Sequence, residues 1–192
     1  MPKRVLCAVA ALSLAHPALA EPITYEIDPS HTYPSIEFPH MGISVWRGKF
    51  DKTSGTVVID RAAKTGSVDI TVAANSVDFG LAAMDDKAKS DDFFDVAQFP
   101  TVTYTGKIQF VGDEPKSIVG EITVHGVTKP LTLDILSSKC IEHPFYKKEV
   151  CGADAQGTLN WSEFGMKMSS YGAGDAGKTL LRIQVEGMRK GA

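Results

Sequence analysis

The sequence lacks any cluster of basic residues and any hydrophobic run long enough to cross a bilayer. Its 192 residues include 20 Lys and Arg against 23 Asp and Glu, which gives a net charge of −3. Nucleic-acid binding depends on clustered positive charge, and a membrane-spanning helix needs about 20 consecutive apolar residues. The sequence therefore predicts a protein that binds no nucleic acid and has no stable membrane insertion.

The motifs of several catalytic sites are missing as well. The chain contains no His-Glu-x-x-His sequence and no serine in a Gly-x-Ser-x-Gly context, which argues against a zinc protease and a serine hydrolase. A catalytic metal would have to be assembled from residues distant in the sequence. One alternative hypothesis is therefore a metal-assisted hydrolase that uses His31, His40 or His125 with nearby carboxylates. The other interpretation is that these histidines only form hydrogen bonds at strand ends.

A glycine-rich segment matches a nucleotide-binding pattern but lacks the structural context of such a site. Residues 172–179, with the sequence GAGDAGKT, satisfy the P-loop pattern. That motif requires a strand before the segment and a helix after it. Here the following residues, 180–186, alternate between apolar and polar as in a strand. We interpret the segment as a loop before the last strand.

The first twenty residues have the features of a secretory signal peptide. Lys3 and Arg4 precede an apolar run at residues 5–15, and residues 18–20 are Ala-Leu-Ala, the small-residue pattern that signal peptidase cleaves. We expect cleavage after this triplet and export to the periplasm. The mature chain, residues 21–192, is predicted to be a single domain.

Cysteine is scarce, and its distribution favours one disulfide. The chain has three cysteines, of which Cys7 belongs to the predicted signal peptide. In an oxidising compartment the two that remain, Cys140 and Cys151, favour pairing. A structural zinc site would need four closely spaced Cys or His ligands, whereas only His143 lies near them. We therefore expect a Cys140–Cys151 disulfide rather than a metal site.

Alternation of apolar and polar residues with period two runs through most of the chain and predicts an all-β protein. The eight or nine predicted strands lie at residues 24–28, 35–38, 48–50 continuing through 56–60, 68–72, 102–110, 118–124, 131–135, 157–161 and 181–185. Turn-forming sequences between consecutive segments indicate antiparallel pairing. Leu81, Met84 and Ala88 recur with helical spacing, so one short helix is expected.

A sheet of about eight short antiparallel strands must protect its edges, either as a two-sheet sandwich or as a closed barrel. We favour the barrel, because its interior can hold one small or slender ligand. Apolar residues on the strand faces are then the candidate ligand-binding residues: Phe38, Ile70, Val72, Tyr104, Phe110, Ile122, Leu133, Leu159 and Ile183. Alternation defines two faces without showing which one points inward. The strand glycines Gly106, Gly120 and Gly157 either leave room for a ligand or mark bends.

Several motifs occur in an order that resembles a known protein family. They are Asp28-Pro-Ser-His31, Phe38-Pro-His40-Met-Gly42, Gly48-x-Phe50, Gly55-Thr56, Ser90-Asp-Asp-Phe-Phe-Asp95 with Phe99-Pro100, His125-Gly-Val-Thr-Lys-Pro130 and Phe164-Gly165-Met166. Together they resemble the YceI-like family of exported lipid- and polyisoprenoid-binding proteins, over about residues 25–188. The resemblance implies an extended, lipocalin-like antiparallel β-barrel whose pore takes a long apolar chain. It also implies that the protein has no catalytic residues and no cofactor.

The sequence departs from that family pattern where basic residues are frequent. Residues 84–90 read MDDKAKS, Trp161 occupies a site that is often Arg or polar, and Glu163 stands where Asp is usual. If the missing basic residues hold a pyrophosphate head group in the family, a neutral lipid is expected here.

The leading hypothesis is a non-enzymatic periplasmic carrier or storage protein for an amphiphilic lipid. The candidate ligands are a polyprenol, a polyprenyl phosphate, an isoprenoid quinone and a fatty amide. Besides the hydrolase, the remaining alternative is a packed barrel without a ligand that acts in stress or surface interactions. A homodimer is expected if an edge or an apolar patch stays exposed.

Overall fold

The computed structural model describes residues 21–167 and 177–191. The predicted signal peptide, residues 1–20, and residues 172–176 of the glycine-rich segment lie outside the described residues. The strands are β1 Ile23–Ile27, β2 Tyr33–His40, β3 Ser44–Phe50, β4 Thr53–Asp60, β5 Thr65–Ala73, β6 Val77–Asp78, β7 Thr101–Val111, β8 Glu114–Val124, β9 Val127–Glu142, β10 Glu149–Asn160 and β11 Lys178–Arg189, and the α-helix is α1 Ala82–Lys89.

Eight of these strands form a closed antiparallel barrel, in the order β1, β4, β5, β7, β8, β9, β10 and β11. The ring closes where β11 pairs with β1, with Gly187 opposite Ile27. Closure pairs both edges of a sheet and so removes the template for edge-to-edge aggregation. The prediction of an all-β antiparallel barrel with about eight strands and one short helix is confirmed.

Residues that alternate along a strand lie on opposite faces, one buried and one exposed, as a period of two predicts. In β7, Tyr104 and Ile108 are buried, whereas Thr105 and Lys107 between them are exposed. The same holds in β9, where Leu131 and Leu133 are buried. The apolar residues buried in this way form one core inside the barrel, and this burial is the main favourable contribution to folding.

The first half of β11 pairs with β2 instead of β1. Leu181 lies opposite Ile36, and β2 pairs in turn with β3, which pairs with β6. These three strands extend the barrel wall at one end only. The β2–β3 hairpin therefore stands beside the opening of the barrel.

Helix α1 lies at this same end. The backbone N–H of Phe79, next to β6, donates to Asp85 Oδ1 at 2.7 Å, and the N–H of Phe94 donates to the carbonyl of Ala88 at 3.0 Å. Ala88 and Phe94 are both buried in the core. The helix is thereby fixed across the end of the barrel. Among the described residues, no helix is both long and apolar enough to cross a bilayer.

Strand boundaries differ from the prediction in two regions. The segment expected to continue from residue 48 to residue 60 forms β3 and β4, because β3 pairs with β2 whereas β4 pairs with β1. Strands β9 and β10 are also longer than predicted: β9 continues through residues 136–142, and β10 already begins with residues 149–156. Their pairing depends on backbone hydrogen bonds, which need no apolar face, so the alternation rule did not detect them.

The disulfide candidates meet in this extension. Cys140 of β9 and Cys151 of β10 lie directly opposite each other. In the structure their sulfurs are bonded, with the Cα atoms 4.0 Å apart. The bond links the two strands at the end of the barrel that lies away from α1.

The strand glycines are sites of close packing rather than of open space. Gly106 and Gly120 face each other across β7 and β8. A Cβ atom on Gly120 would lie 2.1 Å from the backbone oxygen of Thr105, and one on Gly157 would lie 2.7 Å from Leu133 Cδ2. The sequence left open whether these glycines leave room for a ligand or mark bends; the structure instead shows close approach of neighbouring groups, which leaves no free space at these positions.

Candidate functional site

An apolar cavity of about 520 Å³ opens at the α1 end of the barrel. It lies between the β2–β3 hairpin, α1, the Phe93-Phe94 pair and the 3₁₀ turn Trp161–Phe164 that follows β10. Its lining residues are Ile36, Phe38, Pro39, His40, Met41, Trp46, Phe79, Ala83, Met84, Lys87, Ala88, Phe93, Phe94, Trp161 and Met166. A cavity of this volume with a mostly apolar lining is typical of small-molecule binding sites.

Aromatic rings frame the cavity. Phe38 packs edge to face against Trp46 and Phe79, with ring centroids 6.0 and 5.9 Å apart. Phe94 packs in the same way against Trp161 at 5.5 Å. Such pairs hold each other in place and expose large apolar area at little cost in side-chain entropy. The cavity wall is therefore preformed to receive an apolar group.

Two ionisable side chains, those of His40 and Lys87, also line the cavity. The His40 imidazole stacks on the indole of Trp46, with centroids 4.0 Å apart. Lys87 Nζ forms an ion pair with Asp92, and Asp92 also accepts from Lys167 Nζ at 3.0 Å. The hydrogen bonds from Lys87 and Lys167 lower the pKa of Asp92 to about 2. This ionic cluster fixes the end of α1 to the segments around it.

Replacing Asp92 with Asn is expected to lower the melting temperature at neutral pH and to have little effect at about pH 2. The pKa of Asp92 is depressed from its ordinary value of 3.8 to about 2. Its ion pairs therefore stabilise the folded state fully above pH 3.8, and this contribution is lost as the pH falls through about 2. Thermal unfolding of wild type and Asp92→Asn across this pH range, followed by circular dichroism, measures the difference. Asp91→Asn is the control, and an equal deficit at both pH values would contradict the prediction.

The predicted ligand-binding residues all belong to the core or pack against it. Phe38, Val72, Tyr104, Ile122, Leu133 and Leu159 are buried, and Ile70, Phe110 and Ile183 are partly buried beside them. Of this set only Phe38 lines the apolar cavity. Ile183 borders a separate, more polar groove. The ligand-binding role of all nine residues, Phe38 included, stays a prediction.

Tyr104 shows why a core position need not be a ligand position. Its hydroxyl donates to the carbonyl oxygens of Ile118 at 3.0 Å and Leu131 at 3.1 Å. Burial raises the pKa of this phenol to about 12. The side chain therefore occupies space inside the barrel and satisfies its polar atom there.

Most of the cavity residues were missed by sequence reasoning. Trp46, Phe93, Phe94 and Met166 lie in short or irregular segments where neither period two nor helical spacing extends far enough to assign a face. One usable signal was the Phe93-Phe94 pair directly after the predicted helix. Large aromatic residues at the end of a short helix indicate that the helix packs over an apolar surface.

The histidines proposed for a metal-assisted hydrolase are not brought together. His31 Nδ1 lies 2.8 Å from Asp28 Oδ2 in an exposed turn, and His125 Nδ1 lies 3.1 Å from the carbonyl oxygen of Phe164. His40 stacks on Trp46. Within the described parts of the chain, the one group of three possible metal ligands is Cys140, Glu149 and Cys151, which contains no histidine. The geometry therefore offers no support for the hydrolase hypothesis.

Comparisons with known proteins agree with this architecture. The family profile of the YceI-like domain matches residues 25–186. A UPF0312 protein of Vibrio vulnificus (strain YJ016) is 36% identical over 137 residues, which cover 69% of this chain and 72% of that protein.

Solved structures show the same fold. The crystal structure of the Campylobacter jejuni YCEI protein is 26% identical, with a TM-score of 0.66, and the match covers 80% of this chain and 90% of that chain. A polyisoprenoid binding domain from Saccharophagus degradans has the same fold at 14% identity, with a TM-score of 0.60 over 86% of this chain and 98% of that one. Because the family profile spans most of the chain and the barrel matches that of a solved YCEI protein, this chain belongs to the YceI-like family.

Proposed function

We propose that this protein is a non-enzymatic carrier or storage protein that binds the apolar chain of an amphiphilic lipid, a long-chain isoprenoid or a related molecule. The observation that carries the proposal is the cavity of about 520 Å³ framed by aromatic rings at the open end of the barrel. The description of the Saccharophagus degradans domain as polyisoprenoid binding supports the same ligand class.

Burial of the lipid chain supplies the affinity. Each methylene group moved from water to an apolar lining contributes about 0.8 kcal/mol. Part of this gain is offset by the loss of motion of chain and protein. The cavity volume falls within the range of small-molecule sites, so it accommodates one section of a long chain.

We propose a ligand with a neutral head group, namely a polyprenol, an isoprenoid quinone or a fatty amide, in preference to a polyprenyl phosphate. Among the described residues that line the cavity, Lys87 is the one with a permanent positive charge, and it is already paired with Asp92. A phosphate group would compete with that carboxylate for the same lysine. A neutral carbonyl or hydroxyl accepts or donates hydrogen bonds without requiring this exchange.

We further propose that the protein acts in the periplasm after removal of residues 1–20. The charged start and apolar run of this segment support export, and the paired cysteines suit an oxidising compartment. A homodimer stays a prediction that size-exclusion chromatography tests.

Extraction of the bound lipid tests the proposal directly. The protein is purified from the periplasmic fraction without detergent, extracted with organic solvent, and the extract is analysed by mass spectrometry. We expect a stoichiometric isoprenoid or related amphiphile, and N-terminal sequencing should begin at Glu21. An empty protein that also takes up no added polyprenol or quinone would contradict the proposal.

Filling the cavity with a larger side chain is expected to weaken lipid binding about tenfold, because the displaced volume excludes methylene groups worth about 0.8 kcal/mol each. The variant is Ala83→Phe, since Ala83 lines the cavity from α1. The protein has two tryptophans, Trp46 and Trp161, and both line the cavity. Quenching of their fluorescence by an added isoprenoid quinone therefore reports binding.

The matched control is Ala82→Phe. Ala82 precedes Ala83 in the same helix and is exposed like it, but only Ala83 lines the cavity. We expect this variant to bind the quinone as wild type does. Equal binding by both variants would place the ligand elsewhere.

A further inference from the structure

A second site lies at the opposite end of the barrel from the lipid cavity. β10 connects the two ends, with Cys151 near its start and Trp161 directly after its last residue. At a rise of about 3.3 Å per residue, the strand separates them by roughly 30 Å. The Cys140–Cys151 disulfide at this end is therefore independent of the cavity and of the proposed lipid binding.

A guanidinium group lies against both sulfurs of the disulfide. Arg61, in the turn after β4, places Nη2 3.3 Å from Cys140 Sγ and 3.7 Å from Cys151 Sγ. The same nitrogen donates to the Tyr25 hydroxyl oxygen at 2.9 Å and to Glu149 Oε1 at 2.8 Å. Tyr25 is 1% exposed and donates to Glu149 Oε2 at 2.9 Å. The buried Tyr25 of β1 and the carboxylate of Glu149 of β10 thus hold the Arg61 guanidinium in contact with the two sulfurs.

The disulfide also borders a pocket that carries excess positive charge. The pocket has a volume of about 540 Å³ and is lined by Arg61, Lys147, Lys148 and Arg189 among other residues. Its acidic residues are Glu142 and Glu149, and Glu149 is paired with Arg61 at 2.8 Å and lies 3.8 Å from Arg189. Cys140 is exposed and lines this pocket. An anionic reagent that enters the pocket therefore meets a sulfur atom.

We propose that the Cys140–Cys151 disulfide is a thiol–disulfide exchange site for anionic thiols. The thiolate of the reagent attacks Cys140 Sγ, a new S–S bond forms, and the bond between the two cysteines breaks. Its electron pair goes to Cys151 Sγ, which leaves as a thiolate facing the Arg61 guanidinium. A second reagent thiolate attacks the reagent sulfur of the mixed disulfide and releases Cys140 as a thiolate. The products are the reagent disulfide and the two protein thiolates.

The role of Arg61 follows from the chemistry of exchange. Exchange is faster when the leaving sulfur has a low pKa, and a neighbouring guanidinium lowers the pKa of a thiol. Arg61 reaches both sulfurs, so it stabilises whichever thiolate leaves. The lysines and Arg189 raise the local concentration of an anionic reagent.

Two small thiols that differ in charge test the proposal on the full mature protein. They are 2-mercaptoethanesulfonate, which is anionic, and 2-mercaptoethanol, which is neutral. A thiol assay on the unfolded, unreduced protein should first find no free thiol. We then compare the rate of disulfide reduction by the anionic thiol with the rate by the neutral thiol. The ratio of these two rates should be about threefold higher for the folded protein than for the same chain in urea, and it should fall as salt is added.

Variants separate the two effects. Arg61→Gln is expected to slow reduction by both thiols about fivefold, because the leaving thiolate loses its guanidinium partner. Arg61→Lys should recover part of the rate, because it retains a positive charge. Arg189→Gln should lower only the preference for the anionic thiol. It removes a positive charge from the pocket lining but leaves the contacts of Arg61 with the sulfurs in place.

The proposal is overturned if free thiols are found, if the folded protein resists millimolar thiol, or if the rate ratio matches that of the chain in urea. Equal rates for wild type and Arg61→Gln would overturn the role of the guanidinium. Quinone quenching of the two tryptophans is measured in parallel. It should remain unchanged on reduction, so failure at one site is distinguishable from failure at the other.

Discussion

Replacing Phe164 with alanine is expected to lower the free energy of unfolding by about 3–5 kcal/mol, the usual cost of removing a fully buried phenylalanine ring. Phe164 is 1% exposed and lies in the 3₁₀ turn after β10. Its ring packs against Trp161 at a centroid distance of 6.3 Å. The substitution keeps the backbone carbonyl that His125 contacts, so the loss reports the ring itself.

The consequence should extend to the apolar cavity, since Trp161 lines it. Without the ring of Phe164, Trp161 loses an aromatic neighbour and the cavity wall becomes less rigid. Urea unfolding of wild type and variant measures the stability change. Phe145→Ala is the matched control, because Phe145 is 85% exposed and its loss should change the free energy by less than about 0.5 kcal/mol. Similar losses for both variants would show that the turn does not pack as described.

Replacing Gly120 with alanine is expected to destabilise the barrel by about 3 kcal/mol, the upper part of the range for overpacking. The added Cβ would lie 2.1 Å from the backbone oxygen of Thr105 and 2.8 Å from the Cα of Gly106. Both contacts are with the backbone of the neighbouring strand, which cannot rotate away as a flexible side chain can. β7 and β8 would have to separate locally and lose hydrogen bonds of their ladder.

Gly152 provides a matched control in another strand of the same barrel. A Cβ there would meet Glu186 Cγ at 3.4 Å and the backbone oxygen of Val185 at 3.5 Å, which are ordinary contact distances. Gly152→Ala is therefore expected to be neutral or to stabilise by up to about 1 kcal/mol, because alanine restricts the unfolded chain. Thermal and urea unfolding of both variants compare the two positions. A neutral Gly120→Ala would contradict the close approach of the strands.

The Phe164 substitution tests the end of the barrel that holds the cavity, whereas the Gly120 substitution tests the spacing of the wall. The proposed lipid binding needs both, since the cavity wall is a continuation of the barrel strands. We expect Gly152→Ala and Phe145→Ala to retain quinone quenching of the two tryptophans.

The residues that share one face of a strand were predictable from the sequence, although the sequence did not show which face points inward. Val72, Tyr104 and Ile122 are separated along the chain, yet each belongs to a period-two pattern and each is buried in the common core. The reason is that a one-residue change of register would expose the whole apolar set of a strand. Burial of one face is thus encoded locally and can be recognised without knowledge of the strand partners.

The position of the apolar cavity was not predictable from the sequence. The cavity is formed by residues such as Trp46, Met84, Phe94 and Trp161, which come from a hairpin, a helix, an irregular segment and a 3₁₀ turn. These residues share no sequence periodicity that would indicate that they lie together. The same limit applies to the disulfide pocket, where Arg61 reaches Cys140 from a turn 79 residues away in the sequence.

The amino-acid sequence alone determined the all-β class, the antiparallel connections, the apolar residues that share a face of most strands and the resemblance to the YceI-like family, because alternation and turn chemistry act between near neighbours in the chain. Only the tertiary structure decided that the glycines of β7 and β8 serve close packing, that the apolar cavity lies at the α1 end, and that an arginine rests on the disulfide. These features depend on distances between segments that closure of the barrel brings together.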